Sequence, residues 1–285
     1  MTTAISRKED HTIELTLTIP WPTIKAAYED IVNHAIETVE VPGFRKGKAP
    51  RNIAEEKLDR SKIYEEVVKK VIPEVYNEAI TKEKIRPIVN PQIELQDAKE
   101  EKDWVVKLTT CERPSITLGV YKKAIQDVKA SVEKKIWTPG EEMKEEKKDE
   151  KPKVTLDMIL KALYGEIRIS LPAILLQQEV NRLLAELIDQ TKKLGLTVEQ
   201  YLASTQRNAD SIKTEYEEQA KRTLSLEFAL EEIADKEGIF VSDDDMETVL
   251  KTAKNDEERK ALEKDKYYLS SILRRQKTLD FLSAL

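Results

Sequence analysis

With 48 Lys and Arg against 54 Asp and Glu, the 285-residue chain has a formal net charge of -6, so it is not built to coat nucleic acid and must meet any anionic partner through a local basic patch. Its single cysteine, Cys111, excludes an intramolecular disulfide and a cysteine-rich metal site. A charged fraction of 36% with only seven glycines favours long solvated helices over a turn-rich β fold.

Residues 11–19 alternate, with Ile13, Leu15, Leu17 and Ile19 on one face and Thr12, Glu14, Thr16 and Thr18 on the other, which predicts a half-buried strand closed by Pro20 and Pro22. Ile24, Ala27, Tyr28, Ile31, Val32, Ala35 and Ile36 then recur at helical spacing and predict a helix over about 23–37. The stretch VPGFRKGKAP at 41–50 follows. After it, Ile53 and Leu58, then Ile63, Val67, Val68, Val71, Val75, Tyr76 and Ile80, predict a second helical region that Pro73 should kink or divide. Residues 88–95 and 104–111, either side of the charged turn AKEEKD, read as an antiparallel hairpin. Residues 1–114 are thus an α+β domain: a small antiparallel sheet, which the first strand can join, with two or three helices.

Residues 141–153, EEMKEEKKDEKPK, hold six acids and five bases with Met143 as the one apolar side chain, so 115–154 reads as a charged linker. Beyond it, residues 155–285 read as an all-α domain of several helices with arm-like projections, which makes the protein mostly helical overall. Leu176, Val180, Leu183, Leu184, Leu187 and Ile188 form a stripe ended by Gly195, and Thr197 with Gln200 predicts a capping box for the next helix. Ser242 before Asp243, Asp244 and Asp245 predicts another helix start, since carboxylates favour the positive end of a helix. Residues 159–175 and 229–247 share a helix, glycine, apolar pair, serine, helix pattern, a two-copy echo that chance also produces.

No catalytic constellation emerges. GFRKGK has three residues between its glycines and Ala49 after Lys48, which fails the phosphate-binding loop on spacing and on the missing Ser or Thr. His11 and His34 are the only histidines, and neither neighbours a suitable nucleophile or ligand set. Pairs such as Glu65 with Glu66 read as solvated helix faces, and the three aspartates lack calcium-loop spacing. No metal, cofactor or enzymatic activity is expected.

The loop itself stands out. Residues 41–54 contain no acid but carry Arg45, Lys46, Lys48 and Arg51, with Phe44 as an apolar anchor. Pro42 and Pro50 reduce the entropy lost on docking, while Gly43 and Gly47 permit close backbone approach. Arginine adds bidentate recognition of carboxylate or phosphate. The alternative is an ordinary interhelical loop with Phe44 tucked into the core.

GFRKGKAP at 43–50 resembles the ribosome-docking signature of bacterial trigger factor, a chaperone family of the nascent-chain exit tunnel. VNPQIEL at 89–95, ISLPAILLQQEVNRLL at 169–184 and EEIADKEGIFVSDDDMETVL at 231–250 are similar to the same family. The resemblance implies that Gly43, Phe44, Arg45, Lys46, Gly47, Lys48 and Pro50 contact the large ribosomal subunit, through a ribosomal protein and ribosomal RNA. It implies that the C-terminal helices hold unfolded or nascent polypeptides in the cytoplasm without ATP, with Leu175, Leu183, Leu187, Leu226, Phe228, Ile272 and Phe281 as candidates to face clients. No membrane partner is implied, and a weak homodimer of the free protein is left open. The family's peptidyl-prolyl isomerase domain does not fit the forty or so residues from 115 to 154. The rival readings are an RNA-binding or ribosome-associated accessory module without client holding, a periplasmic chaperone of similar architecture, and a proline isomerase.

Overall fold

The computed structural model describes residues 2–40, 42, 44, 50–134, 154–251 and 255–285. The chain forms two compact units, one of residues 1–113 together with Pro172–Leu175, the other of Pro114–Leu171 and Leu176–Leu285.

The first unit has the order β1 (Thr2–Arg7), β2 (Thr12–Ile19), α1 (Trp21–Thr38), α2 (Arg51–Glu55), α3 (Arg60–Lys82), β3 (Gln92–Asp97) and β4 (Trp104–Cys111). Its sheet is antiparallel with strand order β1-β2-β4-β3. β2 lies against β4 in a register that puts Leu15 opposite Leu108, Leu17 opposite Val106 and Ile19 opposite Trp104. Because side chains alternate along a strand, those six share one face, and all are buried there. Ile24 of α1 and Val67, Val71, Ile72, Val75, Tyr76 and Ala79 of α3 close over them. Each such Leu or Val side chain removed from water contributes about 1.5–3 kcal/mol, far more than any ion pair on this surface.

Local chemistry sets the ends of these elements. Asp10 accepts from the backbone and hydroxyl of Thr12, at 3.1 and 2.9 Å, turning the chain between β1 and β2. The backbone N–H of Trp21 donates to Asp103 at 2.8 Å, so a carboxylate from the β3–β4 turn satisfies one of the orphan donors at the start of α1. Asp59 caps α3 by accepting from the Ser61 backbone N–H.

The second unit contains β5 (Ile116–Leu118), α4 (Tyr121–Lys134), α5 (Leu156–Gly165), β6 (Ile167–Ile169), α6 (Ala173–Lys193), α7 (Val198–Ser204), α8 (Ala209–Lys236), α9 (Asp243–Leu250), α10 (Asp256–Lys264) and α11 (Lys266–Ala284). Its main core joins Tyr121 and Ile125 of α4, Ile159 and Leu163 of α5, Ile167 of β6, Leu230 and Ile233 of α8 and Leu282 of α11. A separate small cluster joins Val180 and Leu183 of α6 to Ala220 of α8. β5 pairs antiparallel with β6, and the Glu166 carboxylate accepts from the Val120 backbone N–H at 2.9 Å, at the entry to α4. A Cβ on Gly119 would stand 2.1 Å from that carboxylate, so the glycine lets Glu166 reach the helix start.

The strand at 11–19, the first helix and the 104–111 strand stand close to expectation, and the first strand joins the hairpin as anticipated. The capping boxes at Thr197 and Ser242 form, and Gly195 takes the left-handed conformation, φ +71°, that ends α6. Four features differ. β1 was not anticipated, because TTAISR offers no apolar alternation; it is an edge strand defined by its pairing with β2. Pro73 does not divide α3, since the buried side chains on both sides of it hold one helix together. Part of the expected linker, 116–134, is a strand and a helix of the second unit: the Tyr121, Ile125 and Val128 stripe was overshadowed by the charged run after it, and 135–153 lie outside the described residues. The C-terminal unit also carries the β5–β6 ribbon within its helical frame, and only the first copy of the internal echo contains a strand.

Cys111 is fully buried, and burial pushes its thiol up to about 11. The thiol is therefore expected to resist a disulfide reagent at pH 8 in the native protein and to react stoichiometrically in denaturant, as a thiol titration would read.

Candidate functional site

The loop after α1 is anchored at both ends. Val39 donates its backbone N–H to Ala35 at 2.9 Å, and the Thr38 hydroxyl donates to the same carbonyl at 3.0 Å. On the far side the Pro50 carbonyl accepts from Ile53 and Ala54, each at 3.1 Å, and α2 begins at the next residue. Proline suits this position because it has no N–H to leave unpaired. Between the anchors, Phe44 is 44% exposed, so it is not tucked into the core, and Pro42 and Pro50 are exposed as well. Gly43, Arg45, Lys46, Gly47 and Lys48 lie outside the described residues.

Arg51 needs a correction. Its guanidinium bonds Glu55 at 2.5 Å and reaches Glu29 of α1 at 3.3 Å, and both contacts hold its pKa above the ordinary arginine value. It ties α2 to α1. Of the four cations read from the loop, Arg51 is engaged within the fold, and Arg45, Lys46 and Lys48 carry the docking expectation.

The candidate client-facing residues divide. Leu183 and Leu187 are buried on α6 and Phe228 on α8, and Leu183 packs in one cluster with Ala220 of α8. Leu226 and Phe281 pack against the main core, and the Lys122 ammonium sits 5.6 Å from the Phe281 ring centroid. Leu175 is half-buried at the start of α6. Ile272 alone among the seven is exposed. Helical stripes mark where helices meet each other, so a stripe-based choice selects core.

The exposed apolar side chains lie elsewhere. Leu194 and Leu196 flank Gly195 at the α6–α7 turn, Phe240 is 75% exposed in the α8–α9 connection, and Tyr267 and Tyr268 open α11, the first 91% exposed. For Leu194, Leu196 and Phe240 the signal in the sequence is an apolar residue in a turn near Gly195 or Gly238, whereas Tyr267 and Tyr268 open a helix and carry no such mark. Charged residues surround each, which keeps the exposed apolar areas small.

The three aspartates serve as structure. Asp245 completes the Ser242 capping box and pairs with Lys277 of α11, and Arg274 of the same helix donates to the Ile239 carbonyl at 2.8 Å and to Asp235 at 2.6 Å. The Phe240 connection is thus clamped from α11. Hydrogen bonding from Lys277, then from the Ser242 side chain and backbone, holds the Asp245 carboxyl at about 2. Among the described residues no cluster of His, Cys, Asp and Glu is arranged to hold a metal ion. No described helix is long and apolar enough to cross a membrane.

Comparison with known proteins gives consistent matches. Residues 1–150 match the family model for bacterial trigger factor protein, and residues 125–284 match the model for its C-terminus. The two matches overlap, leaving no interval between them for the isomerase domain. A trigger factor of Staphylococcus epidermidis is 33% identical over 122 residues, and one of Staphylococcus aureus is 31% identical over the same length. Each alignment covers 43% of this chain and 28% of the relative, so the aligned part is a minor share of those longer proteins. A solved structure of a trigger factor chaperone, studied for promiscuous substrate recognition in folding and assembly, superimposes with a TM-score of 0.64 at 15% identity. That alignment covers 100% of this chain and 99% of the other, and it establishes likeness of fold.

The low carboxyl value of Asp245 makes the clamp pH-dependent. A depressed folded-state pKa contributes stability above the unfolded value near 3.8, and that contribution is lost as pH falls toward 2. Asp245→Asn is therefore expected to melt below the wild type near pH 6, with the gap closing as pH approaches about 2 in thermal melts.

Proposed function

Since this chain belongs to the bacterial trigger factor family, we propose that it is a ribosome-docking, ATP-independent chaperone of the cytoplasm that holds nascent or unfolded polypeptides. The observation that carries the reading is Phe44, exposed in an acid-free loop whose two ends are anchored by α1 and α2. An aromatic anchor with adjacent arginine and lysine suits a surface made of protein and RNA on the large ribosomal subunit: the ring is buried on contact and the cations meet phosphate or carboxylate. Anchored ends and two prolines lower the entropy lost on docking.

Holding is assigned to the second unit. Leu194, Leu196, Phe240, Tyr267, Tyr268 and Ile272 offer scattered apolar contacts among charges, each weak and together able to retain a chain that presents several apolar stretches. Release then follows from the client burying those stretches in its own core. We assign no enzymatic role to the chain. The docking role falls to the first unit and holding to the second, whose core residues 116–134 join.

Two outcomes check this. Combined Phe44→Ala, Arg45→Ala and Lys46→Ala is expected to lower ribosome binding about tenfold or more in co-sedimentation, because it removes the anchor and two charges together. Equal pelleting of variant and wild type would remove the docking assignment. In a protease-coupled assay on a prolyl peptide, the protein is expected to leave isomerisation at its uncatalysed rate, tens to hundreds of seconds at 25 °C. Turnover like that of an authentic isomerase would overturn the non-enzymatic reading.

A further inference from the structure

The apolar face of the first unit's sheet is wider than the helices that cover it. Ile93 and Leu95 of β3 stand opposite Leu108 and Val106 of β4, so they belong to the core-facing side. Their β4 partners are fully buried, yet Ile93 is 47% and Leu95 43% exposed. α3 covers β2 and β4 and stops short of β3. Between α3 and β3 lies a cavity of about 650 Å³, lined by Tyr64, Glu65 and Val68 of α3, Leu95 of β3, Glu100 of the turn and Trp104 of β4. Trp104 is buried at its wall, and its indole N–H has no hydrogen-bond partner among the described residues.

Two further facts say what fits there. β3 is the edge of the sheet, and no described strand pairs with its outer side, so its main chain offers free donors and acceptors to an extended segment. The charge left at the rim is negative: Lys69 is committed to Glu66 at 2.7 Å, while Glu65 has no ion pair among the described residues. On the other face of the same strand Glu94 is exposed, opposite Lys107, and Asp97 is held by Lys99 at 3.6 Å. In a pair with a second copy of β3 these acids would meet their own counterparts, and the register irregularity between Leu95 and Asp97 further breaks such a ladder. A segment carrying Lys or Arg meets neither obstacle.

We propose that the α3–β3 groove docks an extended polypeptide segment with apolar residues at alternate positions and cations between them. The segment adds to the edge of β3, seats its apolar side chains over Leu95, Val68 and Trp104, and turns its cations to the other face of the sheet, beside Glu94. The site lies wholly in the first unit, so it does not depend on client holding by the second.

The test uses the full chain and a fluorescein-labelled peptide, Lys-Val-Thr-Ile-Lys-Val-Lys, with Glu-Val-Thr-Ile-Glu-Val-Glu as its charge-reversed control. Anisotropy is expected to show saturable binding of the cationic peptide and at least about tenfold weaker binding of the acidic one. Hydrogen exchange is expected to slow at residues 92–97 when the cationic peptide is bound. Leu95→Lys is expected to weaken binding about tenfold, Glu94→Lys to weaken it severalfold, and Glu217→Lys, on α8 of the second unit, to leave it unchanged. Both substitutions on β3 replace solvent-exposed side chains, and native folding is checked by the continued resistance of Cys111 to thiol reagent. No saturable binding, binding that survives Leu95→Lys and Glu94→Lys, or binding that leaves 92–97 unprotected would each overturn the proposal. Ribosome co-sedimentation and client holding are read separately, so failure of the groove leaves those results distinct.

Discussion

The pairing of β2 with β4 is the constraint on which the first unit depends. The two strands are far apart in sequence, and everything between them, α1, the basic loop, α2, α3 and β3, is closed into a single loop when Leu15 meets Leu108 and Ile19 meets Trp104. Loop closure costs entropy that only the burial on this face can offset. The same pairing places the β3–β4 turn where Asp103 caps α1. The geometry of the basic loop's near end is thus inherited from a strand that follows it by half a domain. On the far side the constraint is local: Arg51 holds α2 to Glu29 of α1, so the loop spans two fixed points.

In a chain of net charge -6, the basic character of residues 41–54 is a local property of the sequence. Acids and bases elsewhere are interleaved and often meet: Lys70 with Asp30, Lys69 with Glu66, Lys161 and Arg222 with Asp157, Arg274 with Asp235. Such exposed pairs contribute little to stability, typically less than about 1 kcal/mol. They do keep the helices soluble without a long-range field of one sign. Excluding acid from residues 41–54 leaves the cations there with few local competitors for an anionic partner.

How much of this was legible in the sequence depends on whether the signal was periodic. Leu15 and Leu17, Val67 and Val71, and Thr197 with Gln200 announce their roles through spacing of two, spacing of four and a capping box, and the structure places them accordingly. β1 was not legible because TTAISR lacks apolar alternation, and the β5–β6 ribbon because its strands are short and pair across a long stretch of chain. The basic loop stood out by composition, since glycine, proline and missing acid are local properties. The exposed apolar side chains of the second unit were not legible. Helical periodicity selected Leu183, Leu187 and Phe228, which are buried, because amphipathic spacing reports burial against a neighbouring helix and says nothing about a visiting chain. Phe240 and Leu194 carry the opposite signature, apolar side chains where no period runs.

The small size of the cores bears on how holding without nucleotide would work. In the second unit the α6–α8 contact rests on a cluster of Val180, Leu183 and Ala220 with Leu176, Leu184 and Tyr216 around it, separate from the main core. Helices held by so narrow a seam leave much of their surface to charge, with apolar side chains concentrated at turns and ends. One such side chain, fully covered by a client, contributes about 1.5–3 kcal/mol, whereas micromolar binding needs about 8 kcal/mol beyond the cost of association. Several contacts must therefore be made at once. A client can satisfy that only while it is extended enough to reach them, and it loses them one by one as its apolar residues enter its own core. On the proposed reading, the scatter of Leu194, Phe240, Tyr267 and Ile272 is what makes release follow folding, and gathering them into one deep pocket would hold the client too well.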